Sequence, residues 1–156
     1  MTPGIELIKS AGVFYQIHEY EHDTTSTAFG DEAVEKLKVD PERVFKTLVL
    51  KTEKNELIVG VLPVMQQLSM KLIAKAAASK KAAMADKKLA ERSTGYVLGG
   101  VSPLGQKRCH TTIIDVSAQD HETIFVSAGR RGLEIELRPE DLQKLSKGKF
   151  SNILQK

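Results

Sequence analysis

The sequence predicts an α+β domain built on a mixed, barrel-like β-sheet flanked by helices. Three observations predict it. Val44–Leu50 (VFKTLVL) and Leu57–Val64 (LIVGVLPV) are nearly unbroken apolar, β-branched runs either side of the turn Glu53-Lys54-Asn55-Glu56, the pattern of a hairpin buried on both faces. Helical segments fall between strand pairs, without the β-α-β regularity of a doubly wound sheet. At 156 residues, 41% hydrophobic and 28% charged, the chain fits one domain, residues 1–156, with a real core.

Thr2 and Pro3 suit the N-cap and first turn of a short helix reaching about Ala11, and Gly12 closes it. Val13–Tyr20 alternates as a strand, with Phe14, Gln16, His18 and Tyr20 on one face. A polar connection, Glu21–Ser26, leads to Phe29 in a loop and an acidic helix over Asp31–Lys38. Ser69 caps a helix with Leu72, Ile73 and Ala76 on one face; a short apolar segment, Ala82–Ala85, follows, and Asp86 caps another helix to about Arg92. Thr111–Val116 and Thr123–Ala128 read as strands. Leu133–Leu137 alternates apolar residues with Glu134 and Glu136, as a half-exposed strand would. Pro139 opens a last amphipathic helix before a basic tail.

No apolar run approaches the roughly 20 residues of a membrane span. The start, MTPGIELIKS, lacks the pattern of a signal peptide. A single cysteine, Cys109, excludes an internal disulfide and a Cys-rich zinc site. His18, His22 and Asp23 offer too few converging ligands for a metal. A cytosolic protein without metal or cofactor is expected. The net charge of +3 is uneven: residues 1–70 hold 7 basic against 11 acidic side chains, residues 71–156 hold 16 against 9. A basic face for an acidic partner such as nucleic acid is one reading, and solvated helix surface is the other. The densest part is Lys71–Arg92, with Lys71, Lys75, Lys80, Lys81, Lys87 and Lys88 as candidate phosphate contacts.

Two stretches carry candidate chemistry. In YVLGGVSPLGQKR, Tyr96–Arg108, three glycines and a proline stand within seven residues. Such a loop can point backbone N–H groups at a carbonyl or phosphate, or simply connect two strands. It matches no nucleotide-binding fingerprint. In VFKTLVL, Lys46 interrupts a buried strand, and by period two it shares a face with Val44, Leu48 and Leu50 while Phe45, Thr47 and Val49 face away. It either snorkels out or reaches into a cleft to meet an anion or carbonyl. Phe29 is either a staple on its helix or a pocket wall, and Arg130-Arg131 either an exposed hairpin tip or a pocket mouth.

These motifs in this order resemble the YbaK/EbsC family: FGDEAVEKL after a Tyr-containing strand, VFKTLVL with its lysine, STGYVLGGVSPLGQKR, and VSAGRRGLEIEL. That family is related to the editing insertion domain of bacterial prolyl-tRNA synthetases, and the likeness runs nearly end to end. It implies a barrel-like mixed sheet with helices. It also implies removal of cysteine from mischarged Cys-tRNA(Pro), through the substrate's own thiol, in a complex with prolyl-tRNA synthetase. By position it implies an essential Lys46 and a Gly-x-x-x-Pro loop from Gly99 to Pro103, whose backbone at Gly100, Val101 and Ser102 is expected to complete the catalytic group by binding the carbonyl oxygen. It implies a pocket from Tyr20, Phe29, Thr47, Gly99, Pro103, Ser127, Gly129 and Glu134, the last one methylene longer than the family's usual Asp. Arg130 and Arg131 join the basic residues as expected tRNA contacts. An editor of Ala-tRNA(Pro), or a non-catalytic tRNA- or synthetase-binding module, are the alternative expectations.

Overall fold

The computed structural model describes residues 1–23 and 29–156, apart from the side chains of Phe29 and Gly30. The first half runs α1 (Pro3–Ser10), β1 (Tyr15–Glu19), α2 (Phe29–Leu37), β2 (Phe45–Thr52), β3 (Leu57–Pro63) and α3 (Met70–Ala76). The second runs β4 (Ala82–Met84), α4 (Lys87–Thr94), β5 (Thr111–Asp115), β6 (Ile124–Arg130), β7 (Leu133–Leu137), α5 (Pro139–Ser146) and β8 (Lys149–Ser151).

The apolar hairpin forms the middle of a five-stranded sheet ordered β4-β2-β3-β5-β8, antiparallel on the β4-β2-β3 side and parallel through β5 and β8. A second, antiparallel sheet is ordered β1-β7-β6. Among the described residues a single parallel bridge, Val44 to Phe125, joins the two. The mixed, barrel-like expectation therefore takes the form of two sheets joined along one narrow seam.

Alternation along β3 fixes the two sides of the large sheet. Val59 and Val61 face the small sheet, meeting Ile124, Val126, Ile135 and Leu137, with Ile5 and Ile8 of α1 and Leu142 of α5. Ile58 and Leu62 face the other way, onto Ile73 of α3, Leu68 and Ile153. Several sequence expectations shift. α2 begins at Phe29, two residues early, because Asp31 and Glu32 occupy its first turn and favour the helix dipole there. Ala82–Met84 is a strand, and part of the basic tail is β8; three residues show no period. β7 is buried at Glu134, which is only 7% exposed, so the alternation that read as half-exposed is an internal polar face. The expected Glu21–Ser26 connection lies partly outside the described residues.

The Gly/Pro-rich loop joins α4 to β5, not two strands. Tyr96 anchors it. Its hydroxyl donates to the Leu104 carbonyl at 2.6 Å, and it is buried with Val49, Ala90 and Val101. Its ring packs against Gly129, where a Cβ would come within 2.5 Å of it. The start of α1 is tied to β6: Thr2 donates to the Ala128 carbonyl and accepts from the Ile5 N–H at 3.2 Å. Replacing Tyr96 by Phe keeps the ring but leaves the buried Leu104 carbonyl without that donor. Urea unfolding of Tyr96→Phe is expected to show a loss of about 1–3 kcal/mol with an unchanged denaturant slope. A variant as stable as wild type would mean that the hydroxyl does not hold the loop.

Candidate functional site

The seam between the sheets opens into a cleft of about 450 Å³, within the range of small-ligand sites. β4 pairs with β2 only at Leu50–Thr52, so the edge of β2 from Phe45 to Val49 has no ladder partner on that side among the described residues. The bridge at Val44 and the Ala85 N–H to Val49 carbonyl bond, 3.1 Å, close its two ends. An open edge exposes both parities of a strand at once. Phe45, Lys46, Thr47, Leu48 and Val49 accordingly all line the cleft, and the period-two division of Lys46 from Thr47 does not separate them there. The far wall is Ser127 of β6, Glu134 of β7 and Tyr20; α2 contributes Asp31, and Leu98, Gly99 and Val101 come from the loop.

The polar groups in this cleft are under-satisfied. The Thr47 hydroxyl is buried with no hydrogen-bond partner. Lys46 makes no ion pair or side-chain hydrogen bond among the described residues; partial burial lowers its pKa, and Asp31 only partly restores it. Glu134 is pushed up to about 8 by burial alone, so at neutral pH it is mostly an uncharged acid that can donate a hydrogen bond. Tyr20 is pushed up to about 12 by burial and by the neighbouring Glu134 and Glu32. Two residues along β7, Glu136 shows the opposite behaviour. Burial raises its pKa too, but Thr123 at 2.6 Å, His18 at 2.9 Å and Arg43 at 3.2 Å outweigh it and lower the pKa.

The loop wall is built by a turn. The Gly100 N–H donates to the Val97 carbonyl at 2.9 Å, and Gly99 at the third position has φ +92°, the conformation that selects glycine. The Gly100 N–H is therefore spent. Those of Gly99 and Val101 have no acceptor among the described residues, and both residues line the cleft. Ser102 is fully buried behind the wall, its Oγ accepting from Leu104 N–H at 3.2 Å. Of the expected Gly100–Ser102 donor set, the Gly100 N–H is engaged by Val97 and Ser102 lies behind the wall, so Val101 is the member that lines the cleft.

Of the expected residues, the fold brings Tyr20, Lys46, Thr47, Gly99, Val101, Ser127, Arg130, Arg131 and Glu134 to one cleft. Gly100, Ser102, Pro103 and Gly129 lie behind it, shaping the loop. The side chain of Phe29 lies outside the described residues. Asp31, Met84 and Leu98 also line the cleft and were not anticipated; the acidic first turn of α2 was the only sequence signal for Asp31. Arg131 donates to the Leu98 carbonyl at 3.2 Å, holding the hairpin tip on the loop. Lys71, Lys75, Lys80, Lys81, Lys87, Lys88, Arg130 and Arg131 are all exposed. Lys80 and Lys81 immediately precede β4 and Lys87 and Lys88 follow it, while Met84 of β4 is in the cleft wall, so the basic surface starts at the cleft's edge.

Glu134 yields a signed prediction. Unfolded, its carboxyl loses the proton near 4.5; folded, it keeps it to about 8. Between those values the folded chain binds more protons, so rising pH erodes stability. Relative to wild type, Glu134→Gln should gain stability steadily from about pH 5 to 8, by at most about 1.4 kcal/mol per pH unit, and then level off. Thermal unfolding across that range reads it. A pH-independent difference would mean that Glu134 is ionised in the fold.

Comparison with known proteins places this geometry. The family model described as "Aminoacyl-tRNA editing domain" matches residues 22–145. A protein of Enterococcus faecalis (strain ATCC 700802 / V583), named "Putative Cys-tRNA(Pro)/Cys-tRNA(Cys) deacylase EbsC", is 38% identical over 99% of this chain and 94% of its own. Among solved structures, hypothetical protein APE2540 superposes with a TM-score of 0.87 at 20% identity, covering 98% of this chain and 99% of that one. A structure described as "a putative trans-editing enzyme for prolyl tRNA synthetase" superposes at 0.84 with 16% identity, covering 100% and 99%. Those two share the fold; the family model and the Enterococcus relative carry the family, and the chain belongs to the aminoacyl-tRNA editing domain family.

Proposed function

We propose that this protein is a free-standing aminoacyl-tRNA deacylase that removes cysteine from mischarged Cys-tRNA(Pro). The observation that carries the reading is the cleft at the open seam, where a lysine, an uncharged carboxyl, an unpaired hydroxyl and two free backbone N–H groups converge. These groups bind and polarise an ester; none is an evident nucleophile. No histidine lines the cleft, and neither Thr47 nor Ser127 is hydrogen-bonded to a base among the described residues. Glu134, mostly protonated at neutral pH, holds only a minor ionised fraction for activating water.

The substrate's thiol supplies what the cleft lacks. A free thiol has a pKa of about 8.5, so some thiolate is present at neutral pH, and thiolate is a strong nucleophile. Its sulfur attacks the ester carbonyl carbon. The carbonyl oxygen takes up negative charge, facing the N–H groups of Gly99 and Val101. The tetrahedral centre collapses, the carbon–oxygen bond to the terminal ribose breaks, and the thiol's proton ends on that ribose oxygen. The products are free tRNA and a cyclic thiolactone, which water opens. Lys46 holds the terminal adenosine's phosphate or ribose, and the protein contributes orientation and electrostatics.

The exposed lysines that start at β4 receive the acceptor stem. So small a cleft reads the amino acid and little of the tRNA, so tRNA choice is shared with prolyl-tRNA synthetase in a ternary complex in the cytoplasm. The Enterococcus relative's name, covering both tRNA(Pro) and tRNA(Cys), and the prolyl-tRNA synthetase link of the structural relative support this reading. Lys46→Ala should slow single-turnover deacylation of Cys-tRNA(Pro) by roughly 100-fold or more without lowering the unfolding midpoint. Undiminished deacylation would remove Lys46 from the mechanism. Wild-type protein that binds the tRNA but never deacylates it would favour the non-catalytic module.

A further inference from the structure

Behind the loop wall lies a chain of side chains that the cleft itself does not use. The Ser93 hydroxyl is 2.6 Å from His110 Nε2, His110 Nδ1 is 2.8 Å from Gln106 Oε1, and Gln106 Nε2 is 3.0 Å from the Ser102 carbonyl. The direction of every bond follows from its last member. A carbonyl only accepts, so the Gln106 amide nitrogen must face Ser102 and its oxygen must face His110. His110 Nδ1 must then carry the proton. Burial and the nearby Arg108 lower the pKa of His110, so the ring is neutral and Nε2 accepts from Ser93. The strands of the loop are zipped beside this chain: Lys107 N–H donates to Thr94 O at 2.8 Å and Arg108 N–H to Ser93 O at 3.2 Å.

We infer that His110 and Gln106 are positioning residues for the deacylation: they clamp the Ser102 carbonyl and so hold the loop backbone that presents Val101 on the cleft wall. This rests on the proposed reaction. Ser102 has no side-chain contact with the cleft, so its route to the chemistry is through the backbone: its carbonyl, held by Gln106, pins the Ser102–Pro103 peptide after Val101, as the Gly100 N–H bond to Val97 pins the chain before it. His110 acts one step further back by keeping the Gln106 amide from flipping. A flipped amide would set oxygen against oxygen at Ser102.

The three obvious variants separate positioning from mere packing. Gln106→Glu keeps size but removes the donor to Ser102. His110→Gln keeps a group near Nε2 but loses the Nδ1 donor, whereas His110→Asn keeps a donor near Nδ1. Two readouts are taken on the whole protein: single-turnover and steady-state deacylation of Cys-tRNA(Pro), and amide hydrogen exchange of residues 97–105. Gln106→Glu and His110→Gln should each lower kcat roughly tenfold with KM little changed, and speed exchange in the loop. His110→Asn should restore both towards wild type. Equal effects of Asn and Gln at position 110, or slow exchange retained in Gln106→Glu, would overturn the inference. The exchange readout needs no activity, so a wild-type protein that fails to deacylate would overturn the proposed reaction while the clamp is still decided.

Discussion

The site depends on a barrel that does not close. Just before β2, Val44 bridges to Phe125 of the small sheet; β2 then parts from that sheet, leaving the Phe45–Val49 edge without a strand beside it among the described residues. Open edges are a liability that folds usually cover or pair. Here the loop, α2 and the β6–β7 hairpin roof the gap without filling it. A strand exposed at its edge presents side chains of both faces together with its backbone. That is how Lys46 and Thr47, adjacent in sequence, come to line one cleft.

The electrostatics follow from that opening. Lys46 and Glu134 share the cleft but are not within ion-pair distance. Each is partly or wholly desolvated, with Asp31 compensating Lys46 only in part, and each has its pKa displaced towards the neutral form. A fold optimised for stability would pair them. Glu136 shows what pairing does on the same strand: with Thr123, His18 and Arg43 around it, it is held ionised. The contrast sets Glu134 apart as a buried acid left without a charged partner, the kind of perturbed group that clusters at functional sites.

Much of this was readable from sequence, for definite reasons. An ammonium inside VFKTLVL is too costly to be incidental, and it led to the cleft. The density of glycine and proline after Tyr96 marked a shaped loop, and it forms a wall. The fold class followed from the apolar hairpin. What was hidden was tertiary. Glu134 and Glu136 have the same period and residue type, and only the packing around them separates a buried acid from a paired one. Gly100 was the natural guess for a free donor, but its N–H closes the turn on Val97. β8 is three residues of parallel pairing set by the distant β5, and no local pattern announces it. The Ser93–His110–Gln106 chain joins residues whose spacing carries no motif.

The claim that the substrate supplies its own nucleophile is tested most directly with matched substrates. Single-turnover amino-acid release would be measured from Cys-, Ser- and Ala-tRNA(Pro) on the same tRNA. Serine differs from cysteine at one atom and lacks a comparable nucleophile at neutral pH, and alanine lacks any. The account predicts rapid release of cysteine, with serine and alanine lost only at the uncatalysed rate. Release of alanine as fast as cysteine would contradict it and require an activated water in the cleft.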